Sequence, residues 1–381
     1  MNSIRELFST RRPIDRPIEK VIDYYAVEGK KLKAEIDEYE VTDHIEASFQ
    51  RFLELFSDGV QGRGSGDCAA WVSGFYGSGK SSFTKYLGLA LDDERIIDGR
   101  KFSELLGERL QSQSGRAMLA TLVGQRPTAV VMLDLATEQF STDAAAPVAN
   151  VLYWKVLQRF GYSREKKLCW LELELDKRGL RAKFEDLYQK KFESPWADIH
   201  NDEMIGVANA AQIVPEVLPK EFPTPESFSE LASDKVETVQ DVGRKMIDIV
   251  REKSGKENVL FLVDEAGQYV APRSNLILNL DGLARSLKEI GGGRVWIVCT
   301  GQQTLTEIVE KAALNSAELN KLKDRFPISI ELEAQDIKEI TYRRLLSKSE
   351  AGDKALREKL AAHGQALITH TPSCQHDVRR S

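Results

Sequence analysis

A chain of 381 residues is long enough for a large buried core and for two domains. With 42% hydrophobic and 29% charged residues it has the make-up of an ordinary soluble protein, which excludes a disordered or fibrous class. A formal net charge of −6 excludes a global basic field that would draw it to nucleic acid, while a local DNA contact stays open. The four cysteines, Cys68, Cys169, Cys299 and Cys374, are widely spaced with no C-x-x-C. Cys68 and Cys299 stand in apolar strand-like runs and read as small core residues, which fits a reducing compartment. No apolar run approaches a membrane span, and residues 1–20 lack the apolar segment of a secretory signal. The expectation is a cytoplasmic protein without membrane contact.

In chain order, residues 1–41 read as an N-terminal arm. Ile4, Leu7 and Phe8 precede Arg11-Arg12-Pro13 and Arg16-Pro17-Ile18, whose prolines favour extended chain. Residues 28–40 are dense in both charge signs and read as solvated. Residues 42–136 read as the first part of an α/β core. Thr42 can cap a helix to about Phe56, with Ile45, Phe49, Phe52, Leu53 and Phe56 on one face. A strand is expected over 68–72, a helix over 80–91, a helix over 99–122, and a buried strand over 129–135. Residues 137–256 show no comparable strand. Their helical periodicity (148–160, 166–178, 182–192, 204–214, 234–253) is too long for a loop and predicts a helical insertion, broken where prolines cluster between Pro215 and Pro225. Residues 257–332 return to the strand–helix pattern: strands over 258–263, 294–301 and 328–332, with helices over 275–290, 304–313 and 316–323. Residues 333–381 read as the start of a helical lid and a tail of fading periodicity.

The most specific stretch is Gly74-Phe75-Tyr76-Gly77-Ser78-Gly79-Lys80-Ser81, followed by Ser82. Its spacing, G-x-x-x-x-G-K-S between a strand and a helix, is the phosphate-binding loop pattern. The glycines let successive N–H groups converge on one anion, and the helix adds its N-terminus. Lys80 is expected between the β- and γ-phosphates of ATP, and Ser81 on the bound Mg²⁺. Several near-continuous apolar strands separated by helices predict a parallel sheet, with ligands at the carboxyl ends of its strands. Asp264-Glu265 ends one such strand: the aspartate suits Mg²⁺, and the glutamate suits a general base for water. Thr300 and Gln302 end the next strand and offer a hydroxyl or an amide to the γ-phosphate or the water. Arg325 stands just before the last strand, where it can reach a γ-phosphate bound by a neighbouring subunit or form a structural salt bridge. Asp134, ending the second strand, reads as a helix cap or as a further site residue, the cap being the favoured reading.

The order of these parts resembles an AAA+ ATPase of the additional-strand class, which implies strand order 5-1-4-3-2. The likeness narrows further. Trp71-Val72-Ser73-Gly74-Phe75-Tyr76-Gly77-Ser78-Gly79-Lys80-Ser81 is similar to the P-loop of the BrxC ATPases of bacterial BREX phage-defence systems and of the related PglY proteins. So are Ile4-Arg5-Glu6-Leu7-Phe8, Arg16-Pro17-Ile18 and Glu38-Tyr39-Glu40-Val41-Thr42 in the arm. Phe160-Gly161-Tyr162-Ser163, Leu171-Glu172-Leu173-Glu174-Leu175 and Ser194-Pro195-Trp196 carry the likeness into the insertion. The resemblance implies an N-terminal ATPase portion of a longer protein. It also implies a role in restricting phage DNA beside a DNA methyltransferase and other system proteins. The residues themselves predict an ATP-hydrolysing homo-oligomer. A nucleotide-dependent scaffold with little turnover is the alternative, and a small-molecule kinase a third reading that lacks an acceptor-binding base and an arginine-rich lid.

Overall fold

The computed structural model describes residues 4–9, 22–26, 29–64, 66–138, 146–231, 237–311 and 316–370. The seven strands in chain order are β1 (Ala69–Ser73), β2 (Ile96–Ile97), β3 (Arg100–Lys101), β4 (Thr128–Asp134), β5 (Asn258–Asp264), β6 (Val295–Gly301) and β7 (Ile328–Glu331). Five of them form one sheet in the order β4-β5-β6-β1-β7, and every pairing is parallel. Numbered by those five strands alone, this is the order 5-1-4-3-2 expected from the sequence. β2 and β3 make a separate small hairpin.

The apolar runs explain the layers. β1, β5 and β6 are buried along their whole length, as parallel strands covered on both faces must be. Successive side chains point to opposite faces. Ala70, Val72, Leu260, Leu262, Trp296 and Val298 therefore join one core, with the helices Asp43–Val60, Lys80–Leu91, Phe102–Gly107 and Gln113–Gln125. Trp71, Val259, Phe261, Val263, Ile297 and Cys299 join the other, with the helices Val148–Arg159, Val239–Ser254 and Ser274–Gly291. The helix Lys80–Leu91 lies so close to the sheet that a Cβ at Gly88 would stand 2.3 Å from Leu262 Cδ1. Close packing aims its N-terminus at the carboxyl ends of the strands.

The helices between residues 148 and 254 fall where the periodicity predicts. The helices Lys166–Lys177, Arg181–Phe192 and Glu203–Val217 build their own core around Leu171, Phe184, Tyr188, Trp196 and Phe228. Pro215 lies in the last turn of the helix Glu203–Val217, where it forfeits one backbone hydrogen bond, and the helix ends two residues later. The break comes at Leu218. The helix expected over 234–253 begins at Val239, capped by Thr238, whose Oγ1 accepts from the Asp241 N–H at 3.1 Å.

Two other expectations are corrected. The helix expected over 99–122 is cut into the hairpin and the two helices Phe102–Gly107 and Gln113–Gln125, the second started by Ser112, whose hydroxyl accepts from the Gly115 N–H. The stretch 28–40 is not wholly solvated. Its helix Gly29–Asp37 buries Leu32, Glu35 and Ile36, and Glu35 pairs with fully buried Lys85 at 2.6 Å. The helix Ala334–Leu345 packs back on the start of the core, where Asp336 accepts from the Thr42 hydroxyl at 2.5 Å. The prolines of the arm, Pro13 and Pro17, and Cys374 in the tail lie outside the described residues. No helix among the described residues is long and apolar enough to cross a membrane.

Candidate phosphate-binding site

β1 ends at Ser73 and the chain turns through Gly74–Gly79 into the helix that begins at Lys80. Two glycines are required by backbone shape: Gly77 has φ 82° and Gly79 φ 93°, in the left-handed region that a side chain disfavours. Gly74 is required by space, since a Cβ there would stand 2.4 Å from Ser78 Oγ and 2.9 Å from Leu332 O. Phe75 and Tyr76 project outward, 42% and 80% exposed. The Lys80 side chain is folded onto its own loop. Its ammonium donates to Gly74 O at 2.8 Å and Phe75 O at 3.1 Å. Burial pulls the Lys80 pKa down, opposed by the nearby charges of Glu265 and Asp264.

β5 and β6 bring the second half. Asp264, 3% exposed, accepts a hydrogen bond from Thr300 Oγ1 at 2.5 Å, and the Ser81 hydroxyl is bound to the same carboxylate. Burial pushes its pKa up, with those hydroxyls opposing the shift. Glu265 is half-buried and held at φ 57°, a left-handed position unusual for glutamate. Its N–H donates to Thr300 Oγ1 at 2.9 Å. Thr300 thus clamps both acidic residues, spending its hydroxyl proton on Asp264 and a lone pair on Glu265. Burial and then the Asp264 charge push the Glu265 carboxyl up, and Lys80 pulls it down.

Of the predicted residues, the structure brings together Lys80, Ser81, Asp264, Glu265 and Thr300. Thr300 is buried against Asp264, and Gln302 is exposed in the turn beyond β6. Arg325 takes the salt-bridge arrangement, its Nε 3.1 Å from Asp281 Oδ1. Asp134 holds a turn among the described residues: its Oδ1 accepts from the Ala136 N–H at 2.9 Å and its Oδ2 from the Thr137 hydroxyl at 3.1 Å. The sequence reading missed Tyr24 and Tyr25. Tyr24 OH donates to Thr84 Oγ1 at 3.3 Å on the helix that starts at Lys80. Tyr25 OH accepts from the Asp134 N–H at 2.8 Å. Two adjacent aromatics in a charged stretch were the available signal.

Ser78 supports an anion cradle. Its hydroxyl is buried and has no hydrogen-bond partner. Asp264 and the Ser81 hydroxyl make an oxygen donor set suited to a hard cation. Among the described residues no cluster of three or more His, Cys, Asp or Glu side chains could hold a metal ion. The oxygens of Asp264 and Ser81 fit Mg²⁺, which takes one or two protein oxygens together with substrate phosphate. No family model matches the chain.

Proposed function

We propose that this chain is a P-loop ATPase of the AAA+-like, additional-strand class, which hydrolyses Mg·ATP to ADP and phosphate. The observation that carries the reading is the three-way contact of adjacent strands: Ser81 and Thr300 both bonded to Asp264, with Lys80 beside it. A buried carboxylate with hydroxyl partners, next to a glycine-rich anion loop, is what a phosphate-bound cation needs.

In this reading Lys80 exchanges the carbonyls of Gly74 and Phe75 for phosphate oxygens. The Gly77–Lys80 backbone and the helix N-terminus take the remaining negative charge. Asp264 and Ser81 hold Mg²⁺, which when bound neutralises phosphate oxygens and fixes their direction. Glu265 accepts a proton from a water as the water oxygen bonds to the γ-phosphorus. The bond from that phosphorus to the bridging oxygen breaks, and ADP leaves. The raised Glu265 pKa makes it a better proton acceptor than an ordinary glutamate, provided it is ionised at working pH.

The likeness of the P-loop stretch and of the Phe160–Trp196 segments to BrxC and PglY proteins supports assigning the cycle to assembly or remodelling of a BREX-type defence complex in the cytoplasm. Its partners in that reading are a DNA methyltransferase and further copies of the chain. Arg325, 41% exposed on its side chain, serves a neighbour's site in that assembly. Mixing Lys80→Ala with Arg325→Ala chains tests this, because turnover returns only if one copy supplies the other's arginine.

The decisive experiment on the ATPase reading is Glu265→Gln. It is expected to keep ATP binding, measured by equilibrium titration, and to lose phosphate release by about 100-fold or more. Unchanged release would sink the hydrolytic reading, and retained biological function without release would favour the nucleotide switch.

A further inference from the structure

β4 is the outer strand at one edge of the sheet, paired only with β5. The Leu135 N–H donates to Asp264 O at 3.2 Å, which sets the alternation. Odd-numbered residues of β4 turn their backbone groups to β5, and Val130, Met132 and Asp134 turn theirs away. The outward Asp134 N–H is taken by the Tyr25 hydroxyl. The outward N–H and C=O groups of Val130 and Met132 have no protein partner among the described residues. Yet Val130 is 4% exposed, so these groups are not simply bathed in solvent. They open on a groove of about 340 Å³ between the helices Lys80–Leu91 and Val148–Arg159.

The charge of this groove opposes that of the chain. Arg95, Lys155, Arg159 and Arg164 line it with a single carboxylate, Asp92. Asp92 is shared among Arg95 at 3.6 Å, Arg159 at 3.8 Å and Lys256 at 3.6 Å, all beyond hydrogen-bond length. Glu138 neutralises Lys155. Arg164 is exposed, and its side chain has no partner among the described residues.

We propose that the β4 edge is a docking site for an extended acidic segment of a partner protein. The segment adds as a strand beside Val130 and Met132, exchanging backbone hydrogen bonds with both, and sets its carboxylates against Arg159 and Arg164. Unmatched N–H and C=O groups need a ligand backbone with both donors and acceptors, which a peptide has. A DNA strand brings phosphate acceptors but no backbone donor for the outward carbonyls, and the single 2′-hydroxyl per nucleotide of RNA does not match the paired N–H and C=O groups of an extended strand. The aromatic ring in the lining, Tyr25, offers no free stacking face on that side, because the Lys155 ammonium sits 3.7 Å from its centroid. The inference does not depend on ATP hydrolysis.

The test uses the full chain and a library of labelled decapeptides that alternate Asp or Glu with Val, Ile or Thr. Anisotropy is expected to find binders. Methylating alternate peptide nitrogens should abolish binding, and Arg164→Glu, at an exposed position, should weaken it at least fivefold. Arg159→Gln serves as a second variant. Hydrogen exchange should show the Val130 and Met132 amides protected only when peptide is bound. The proposal fails if no library member binds at about 1 mM, a free energy near −4 kcal/mol. It fails equally if binding ignores both N-methylation and the arginine variants. It also fails if those two amides are already protected in the chain alone, which would mean that its own residues cover the edge. Protection by an oligothymidylate in place of the peptides would assign the groove to nucleic acid and overturn it too.

Discussion

Asp264 and Glu172 are both buried carboxylates, 3% and 0% exposed, and they are buried on opposite terms. Glu172, in the helical region, is fully matched. It accepts from the Ser163 N–H at 2.7 Å, from Trp196 Nε1 at 2.7 Å and from His200 Nδ1 at 3.0 Å, and it pairs with Arg181 at 3.2 Å. Asp264, at the end of the sheet, has hydroxyls and a backbone N–H for partners and no salt bridge among the described residues. A buried carboxylate with a guanidinium and three further donors is a structural clasp. One buried without a bonded cation carries a desolvation cost that a bound cation would relieve. Surroundings, more than burial, separate the fold's polar hub from its candidate chemistry.

That contrast can be broken by experiment. Asp264→Asn is expected to lower ATP turnover by about 100-fold or more, measured by phosphate release. The same change should raise the melting temperature of the nucleotide-free chain by about 1–3 °C in calorimetry, because it removes a charge held at a desolvation cost. A fall in both would mean that Asp264 is a clasp like Glu172. Glu172→Ala should do the reverse. It is expected to cost about 3–5 kcal/mol in urea titrations, since it strands three donors and takes from Arg181 its most buried carboxylate, leaving Glu185 and Asp176, while ATP binding at the sheet persists. Loss of nucleotide binding by the folded variant would show that the two regions are not separable.

Thr300→Val is expected to lower kcat about tenfold with little change in KM, and Thr300→Ser to restore most of it. The hydroxyl holds Asp264 and Glu265 in place, and it is the hydroxyl that serine keeps. The smallest effect is in pH. Raised carboxyls bind protons in the folded chain that the unfolded chain has released. Stability without nucleotide should therefore fall as pH climbs from the ordinary carboxylate range, near 4, through the raised values of Asp264 and Glu265. Above those values it should level off, and Asp264→Asn should flatten part of the slope. The acid limb of kcat should likewise lie above the ordinary glutamate range.

Much of the sheet was legible from patterns short enough to be local. Apolar runs marked the five parallel strands, and Gly74-x-x-x-x-Gly79-Lys80-Ser81 marked the turn between β1 and its helix. Thr42 capped the expected helix, its Oγ1 accepting from the Ile45 N–H at 3.2 Å. The misreadings came where contacts distant in sequence decide. Residues 28–40 look solvated until Lys85, 50 positions away, is seen to bury Glu35. Asp336 binds Thr42 and His44, 294 and 292 positions away, a contact that no local pattern announces. The segments Phe160–Ser163, Leu171–Leu175 and Ser194–Trp196 stand apart in sequence, and Ser163 and Trp196 converge on one carboxylate, Glu172.

The amino-acid order by itself determined the elements and the identity of the polar groups at the strand ends and in the glycine-rich turn. Hydrophobic period and glycine placement are local properties, and each strand end carries its own polar residues with it. The tertiary structure alone decided which of those groups act together. Parallel pairing of β5 with β6 put the Thr300 hydroxyl on Asp264 and under the Glu265 N–H. The pairing of Arg325 with Asp281 drew that side chain onto the helix Ser274–Gly291, and the turn beyond β6 left Gln302 in solvent. The same sheet left β4 on its outside, with two residues' backbone groups facing a basic groove. An edge, like a shared proton, exists only once the strands have chosen their neighbours.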